Sequence, residues 1–345
     1  MNSPQTSPTD ETTKVEALLR QSMPDAVGVR VNNLAPMFGG NSRKAWSFDA
    51  SWQRGGNSVT RPCVMLSQLG HGHVESDIRR EFQVLSGLNG KGVRVPEAIA
   101  IDVDGEIVGA PSIVLERING KANAVAFLKS PDVEASTALT EDLALVVAQL
   151  HRVEWSVAAF DPALASDTPR QLVERQVQYW EKTFLANRLE PLPVMASLFA
   201  WLKKNIPTPE RICMVHGDLR PGNFLYEGPR VTGLLDWEMA HFGDPIEDLG
   251  WIYRPLWSPK RFVPLRKFVD LYAKHSGCDI SWSSVIFYRV FSELKFATIS
   301  LTAAKSFATG QTLNLRHADR AATVTPCLKR CLDWIETQKH EVAHA

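Results

Sequence analysis

A histidine, an aspartate and an asparagine share one short stretch, VHGDLRPGNF, as His216, Asp218 and Asn223, and LLDWE follows with Asp236. The spacing H-x-D-x-x-x-x-N sets a carboxylate and an amide oxygen in one loop, closed by Pro221-Gly222. Those groups suit phosphoryl transfer, which is mostly positioning and charge neutralisation. One carboxylate must accept or orient the proton of an attacking hydroxyl, and Asp218 is the candidate. Hard oxygen donors must hold Mg²⁺ between phosphates, and Asn223 and Asp236 are the candidates. The spacing alone is common; apolar strands on both sides and an Asp closing a third strand make it informative.

The elements that must position these residues read as follows. KVEALLRQSM has helical spacing. Strands flank the Gly39-Gly40 turn, and RPCVMLSQ is another. ESDIRREFQVLSGLNGKG is a helix ended by glycines, and VPEAIAIDVDGEIVGAPSIVLERING gives two strands around an acidic turn. Beyond Gly120 the pattern is mostly helical, with Thr168 and Pro169 opening one helix as cap and first turn. Short strands at CMVHG, NFLYE and VTGLLDWE frame the loop. Helices at roughly 262–275, 283–308 and 319–340 complete the chain. The expectation is an α+β protein of two lobes: a tail over 1–12 without structure, a sheet-rich N-lobe over 13–117 and a mostly helical C-lobe over 118–345. The C-lobe would carry the catalytic loop, the metal site and the acceptor site.

The 345 residues exceed what one core usually holds. With 38 Lys/Arg against 38 Asp/Glu, the chain lacks the basic footprint of a general nucleic-acid binder. The balance is uneven: residues 1–169 carry 15 Lys/Arg and 20 Asp/Glu, residues 170–345 carry 23 and 18. The five cysteines have no CxxC spacing and read as reduced thiols. No apolar run is long enough to span a membrane, and MNSPQTSPTDETT is no signal peptide, so a cytoplasmic protein is expected.

HGDLRPGNFLYEGPRVTGLLDWEMAHFGDPIEDLGW, residues 216–251, resembles the signature of the aminoglycoside phosphotransferase family. It is most similar to the members related to the kinase domain fused to certain acyl-CoA dehydrogenases. The resemblance runs from about Leu34 to the final helices. It implies a bilobal protein-kinase-like fold, ATP as donor, Mg²⁺ as cofactor and a small hydroxylated acceptor. By position it makes Asp218 the catalytic base, Asn223 and Asp236 the metal ligands, His216 a brace of the loop and Asp248 its anchor. Glu238 would touch metal or acceptor, or stand at the cleft rim. MFGGNS would be the phosphate-positioning turn through Gly39, Gly40, Asn41 and Ser42, and the SIVLERING strand would contact adenine through Glu116, Arg117 and Ile118. Glu81 falls where the family helix carries a Glu paired with a strand cation.

That cation is missing. CVMLSQLG puts Leu66 or Ser67 where the family has Lys or Arg, which would leave Glu81 a costly buried charge. Either Arg43 or Lys44 substitutes, or the chain is a degenerate kinase serving as a nucleotide-binding regulatory or scaffold module. No A-P-E segment follows DWE, which disfavours a protein kinase. The basic surplus after residue 170 disfavours a polycationic aminoglycoside and favours a neutral or anionic acceptor, such as a hydroxyacyl-CoA or another catabolic intermediate. Aromatics in WIYRPLW and VIFYRVF would line a pocket or fill core.

Overall fold

The computed structural model describes residues 8–37, 43–68 and 77–343, with side chains from 10 to 337 of those. The chain forms two compact units. The first holds residues up to 121 together with 225–227 and 232–238; the second holds the rest. The boundary thus falls a few residues beyond 117. Asp236 and Glu238, expected in the C-lobe, cluster with the first unit.

In the first unit, α1 (Pro8–Ser22) begins inside the expected tail, so residues 8–12 are helical. Asp10 and Glu11 in its first turn suit the positive end of a helix dipole. Five strands follow: β1 (Val27–Met37), β2 (Arg43–Arg54), β3 (Asn57–Gln68), then, after helix α2 (Ile78–Leu88), β4 (Ala98–Asp102) and β5 (Ser112–Glu116). They form one antiparallel sheet in the order β1-β2-β3-β5-β4. Val15, Leu18 and Leu19 of α1 pack on Val29, Phe48, Ala50, Cys63 and Met65. Because strand side chains alternate between faces, Phe48 and Ala50 fix Arg43, Ala45 and Ser47 on the opposite face. Burial of Ile78, Val84, Leu85 and Leu88 accounts for α2.

The second unit is helical around a small framework. It opens with α3 (Ala124–Leu128), α4 (Val133–His151), α5 (Val157–Phe160), α6 (Pro169–Asn187) and α7 (Pro193–Lys204). Thr168 and Gln171 form a reciprocal capping box with Pro169 in the first turn of α6. Next come β6 (Cys213–Val215), the hairpin strands β7 (Phe224–Glu227) and β8 (Arg230–Leu234), most of whose residues cluster with the first unit, and β9 (His241–Gly243). The last pairs antiparallel with β6, with Val215 opposite His241. Short helix α8 (Ile246–Ile252) leads to α9 (Leu265–Ser276), the 27-residue α10 (Trp282–Ala308), α11 (Leu315–Asp319) and α12 (Val324–Ala343). Contact between α8 and α10 depends on Gly250, where a Cβ would lie 2.7 Å from the Tyr288 carbonyl oxygen. Trp251, Phe287, Tyr288 and Phe291 are buried, so the two aromatic stretches serve mainly as core. All five cysteines are free, and no described helix is long and apolar enough to cross a membrane.

Candidate active site

In the second unit, β6 delivers His216, Gly217 and Asp218 into the interior, where all three are buried. The loop hangs on Asp248 of α8. Its Oδ2 accepts the amide of His216 at 2.8 Å and its Oδ1 that of Gly217 at 2.9 Å. Oδ2 also meets His151 Nε2 at 3.0 Å, and the other nitrogen of that ring meets the Tyr272 hydroxyl at 2.9 Å. Burial alone would raise the Asp248 carboxyl. The hydrogen bond and charge of His151, with His216 beside it, bring it down instead to about 2. His216 Nδ1 accepts the Asp218 amide at 3.3 Å, so the imidazole closes the loop on itself.

Three donors fix the Asp218 carboxylate. Trp251 Nε1 donates to Oδ1 at 2.8 Å, Arg220 Nε to the same oxygen at 3.3 Å, and Asn223 Nδ2 to Oδ2 at 2.6 Å. The loop turns through Arg220-Pro221-Gly222-Asn223, with the Asn223 amide on the Arg220 carbonyl at 2.9 Å and Gly222 at φ 108°. Proline followed by a positive-φ glycine is the type II turn pattern. Asn223 Nδ2 also donates to the Asp218 carbonyl at 2.9 Å. Its nitrogen is therefore committed, and its Oδ1 accepts nothing among the described residues. A hard oxygen left free in this way fits Mg²⁺.

Behind the loop lies a buried charged group. Lys295 of α10 donates to the Gly217 carbonyl at 2.6 Å and to Glu247 at 3.0 Å. Glu247 also meets His241 Nε2 at 3.0 Å. Burial would raise Glu247, but His241 and then Lys295 hold it below its ordinary range. The Lys295 ammonium lies 4.8 Å from the Trp251 ring centroid, so one side chain steadies both the loop at Gly217 and the indole on Asp218.

In the first unit, Arg43 rather than Lys44 is the cation paired with Glu81. Its Nη1 lies 2.6 Å from Glu81 Oε2 and its Nη2 3.4 Å from Glu238 Oε2. Arg43 is one-tenth exposed and Glu81 2%. Lys44, one residue on and on the other face, is exposed and makes no ion pair among the described residues. Across the sheet Ala45 faces Leu66, and Ser67 hydrogen bonds Ser112 at 2.8 Å. Burial works against the Arg43 charge, yet Glu81, Glu238 and Asp236 hold it above its usual range. Burial pushes the Glu81 carboxyl up; Arg43 and the Trp237 amide oppose it. That amide brings the preceding residue, Asp236, beside the pair. Asp236 sits at φ 68°, a left-handed conformation rare for a non-glycine residue.

Glu116 and Arg117 are not open to a ligand through their amides, which already donate to the carbonyls of Glu97 and Pro62 at 2.9 Å. The Ile118 amide has no partner among the described residues. Gly39, Gly40, Asn41 and Ser42 lie outside the described residues. Trp251 and Lys295 were not singled out as site residues from sequence. Trp251 stands three residues beyond Asp248, a helical spacing that places both near one loop; nothing local marks Lys295, 78 residues from the carbonyl it holds.

A buried carboxylate in an H-x-D-x-x-x-x-N loop, together with a helix Glu held by a strand cation, defines a kinase-like phosphotransferase. The sequence profile of the phosphotransferase enzyme family matches residues 43–278, and the chain belongs to that family. The match starts later than the resemblance from about Leu34. Acyl-CoA dehydrogenase family member 10 of Mus musculus is 28% identical over 254 residues, 68% of this chain and 23% of that protein. Family member 11 of Rattus norvegicus is 25% identical, over 72% of this chain and 34% of that protein. The chain thus spans about a quarter to a third of these relatives. Among solved structures, a putative aminoglycoside phosphotransferase from Ralstonia eutropha superposes with a TM-score of 0.74 at 24% identity, covering 94% of this chain and 98% of that one. A macrolide 2'-phosphotransferase from Brachybacterium faecium gives 0.55 at 22% identity, over 91% and 98%. The fold is the bilobal kinase-like one.

Proposed function

We propose that this phosphotransferase uses ATP and Mg²⁺ to phosphorylate a hydroxyl of a small, neutral or anionic acceptor. The observation that carries it is the Asp218 carboxylate, fixed at both oxygens by Trp251, Arg220 and Asn223. A carboxylate so held can accept or orient the hydroxyl proton without rearranging. Asn223 through Oδ1 and Asp236 are the Mg²⁺ ligands, and the ion when bound neutralises phosphate charge. Arg43 faces the donor phosphates with Gly39, Gly40, Asn41 and Ser42. The Glu116–Ile118 segment takes adenine, through the Ile118 amide and main-chain carbonyls. Nucleotide use finds support in a neighbour of the same fold, described as a ternary complex with AMP-PNP and hygromycin B. The surplus of 23 Lys/Arg over 18 Asp/Glu after residue 169 argues for a neutral or anionic acceptor. The acyl-CoA dehydrogenase relatives support a hydroxyacyl-CoA or a related catabolic intermediate. The non-catalytic alternative rests on the missing third-strand cation, and Arg43 beside Glu81 supports the catalytic reading over it.

The test is ADP release with Mg·ATP across hydroxyacyl-CoAs, sugars, phenols and aminoglycosides, for the wild type and for Asp218→Ala. An acceptor-dependent signal that Asp218→Ala abolishes, with Mg·ATP affinity kept within about threefold (some 0.7 kcal/mol), is expected. Turnover that survives in Asp218→Ala would overturn the assignment of the base.

A further inference from the structure

One pocket of the second unit belongs to none of the groups described so far. It has a volume of about 350 Å³ and receives Lys260 from the segment before α9 and Arg289 from α10. No carboxylate lines it. Neither cation forms an ion pair or a side-chain hydrogen bond among the described residues, and the Arg289 Nε is buried without a partner. The guanidinium rests 3.8 Å from the Trp334 ring centroid. The carboxylate acting on it, Glu293, is already held by Arg254 at 3.1 Å and Arg330 at 2.7 Å. Burial pulls the Arg289 guanidinium down to about 10, as expected of a desolvated cation short of a counter-ion.

The surrounding sequence is basic. Lys260, Arg261, Arg266 and Lys267 precede the first acid, Asp270. Lys267 is paired with Glu141 at 2.6 Å and Arg266 lies 3.9 Å from Asp270, which leaves Lys260 and Arg261 uncompensated. The remaining lining suits an organic ester rather than a bare ion. Ser258 accepts the Lys260 amide at 3.2 Å and keeps its hydroxyl proton to donate, while Tyr253, Pro264 and Leu265 supply apolar surface.

We propose that this pocket binds a phosphate monoester carried by the acceptor at a distance from the hydroxyl that is phosphorylated. Two cations match a dianion better than a single carboxylate. The pocket is tied to the catalytic segment through Tyr253, two residues after Trp251. The assignment of the ester to the acceptor rests on the kinase reading; the anion site does not.

Glycerol 3-phosphate is the probe, titrated calorimetrically against the full chain saturated with Mg·AMP-PNP so that the donor site is filled. It is expected to bind, with glycerol and glycerate at least about tenfold weaker, some 1.4 kcal/mol. Lys260→Gln, a change at an exposed position that leaves the core untouched, and Arg289→Gln are each expected to weaken it about tenfold. Lys44→Gln is the control and leaves it unchanged. Equal binding of glycerate, or binding indifferent to both pocket variants, would overturn the phosphate assignment. With an acceptor in hand from the ADP assay, removal of its phosphate is expected to raise KM about tenfold at unchanged kcat in wild type but not in Arg289→Gln; the same rise in both would detach the pocket from the acceptor. Failure of all acceptors with intact probe binding would count against the kinase reading alone.

Discussion

Arg43 shows how much of this site is a matter of single residues. The sequence reading left two candidates for the missing cation, because strand alternation sends one of two neighbours inward but does not say which. Packing of Phe48 and Ala50 against α1 decides it and turns Arg43 toward Glu81. ATP affinity should therefore fall at least about tenfold, some 1.4 kcal/mol, in Arg43→Ala. It should stay unchanged in Lys44→Ala and be restored in Arg43→Ala by adding Leu66→Lys. Nucleotide titration of the four proteins checks this, and an Arg43→Ala protein with full affinity would refute it. Trp251 belongs to the same scale. Trp251→Phe keeps an aromatic ring beside Lys295 but removes the N–H on Asp218 together with part of a buried indole's volume. A lost charge-assisted hydrogen bond of about 1.5–3 kcal/mol predicts kcat lower by about ten- to a hundredfold with ATP affinity intact, readable in steady-state kinetics. Equal kcat would mean the indole is packing alone.

Among elements, α8 does the most with the fewest residues. In seven residues it carries Glu247 to Lys295, Asp248 to two loop amides, Gly250 to α10 and Trp251 to Asp218. It was not read as a helix from sequence, since about two turns show too little periodicity, yet the resemblance to a family anchor gave Asp248 the loop contacts it makes. The long helix α6 was legible because Thr168 and Pro169 mark its start and its apolar spacing repeats over several turns. The Lys295 contacts were not, because they join residues 48 and 78 apart on elements that only packing brings together. The acids of this region give a pH dependence with two signs. Asp248 is held below its unfolded value of about 3.8, at about 2. The stability it contributes is present above pH 4 and lost as pH falls toward 2, to the extent of about 2 kcal/mol. Asp244 is pushed by burial up to about 7, so its contribution is lost as pH rises from about 4 to 7. Urea midpoints should fall below pH 4 in wild type, and Asp244→Asn should flatten the decline between pH 5 and 7. An unchanged slope there would show that Asp244 is ionised at no cost.

On the scale of the whole molecule, the two-lobe plan was readable from the change in periodicity near residue 120. What the sequence hid is that the first unit is not contiguous. Residues 232–238 return to it, where Leu234 donates its amide to the Arg94 carbonyl at 2.8 Å, Thr232 reaches the Asn119 carbonyl at 2.7 Å, and the Trp237 amide serves Glu81. A fragment of residues 1–121 lacks these partners and leaves Glu81 with Arg43 alone. It should be markedly less stable than the same region within the full chain, with hydrogen exchange of α2 amides faster by at least about tenfold. Equal protection in fragment and full chain would show that the returning segment is dispensable for the first unit.

The clasp between Arg43 and two carboxylates has a further consequence for how such chains are sorted. A search that asks for a cation at the third-strand position alone would miss the one this chain places beside Glu81. Here the charge stands on β2, the hydrogen-bonded neighbour of β3, and reaches the Glu81 of α2 from there. A guanidinium offers five donors in a flat fork where an ammonium offers three at one point. The relocated group can thus keep one arm on Glu81 while the other changes partner. What persists here is a place in space occupied by positive charge, and the chain is free to supply it from whichever strand passes within reach.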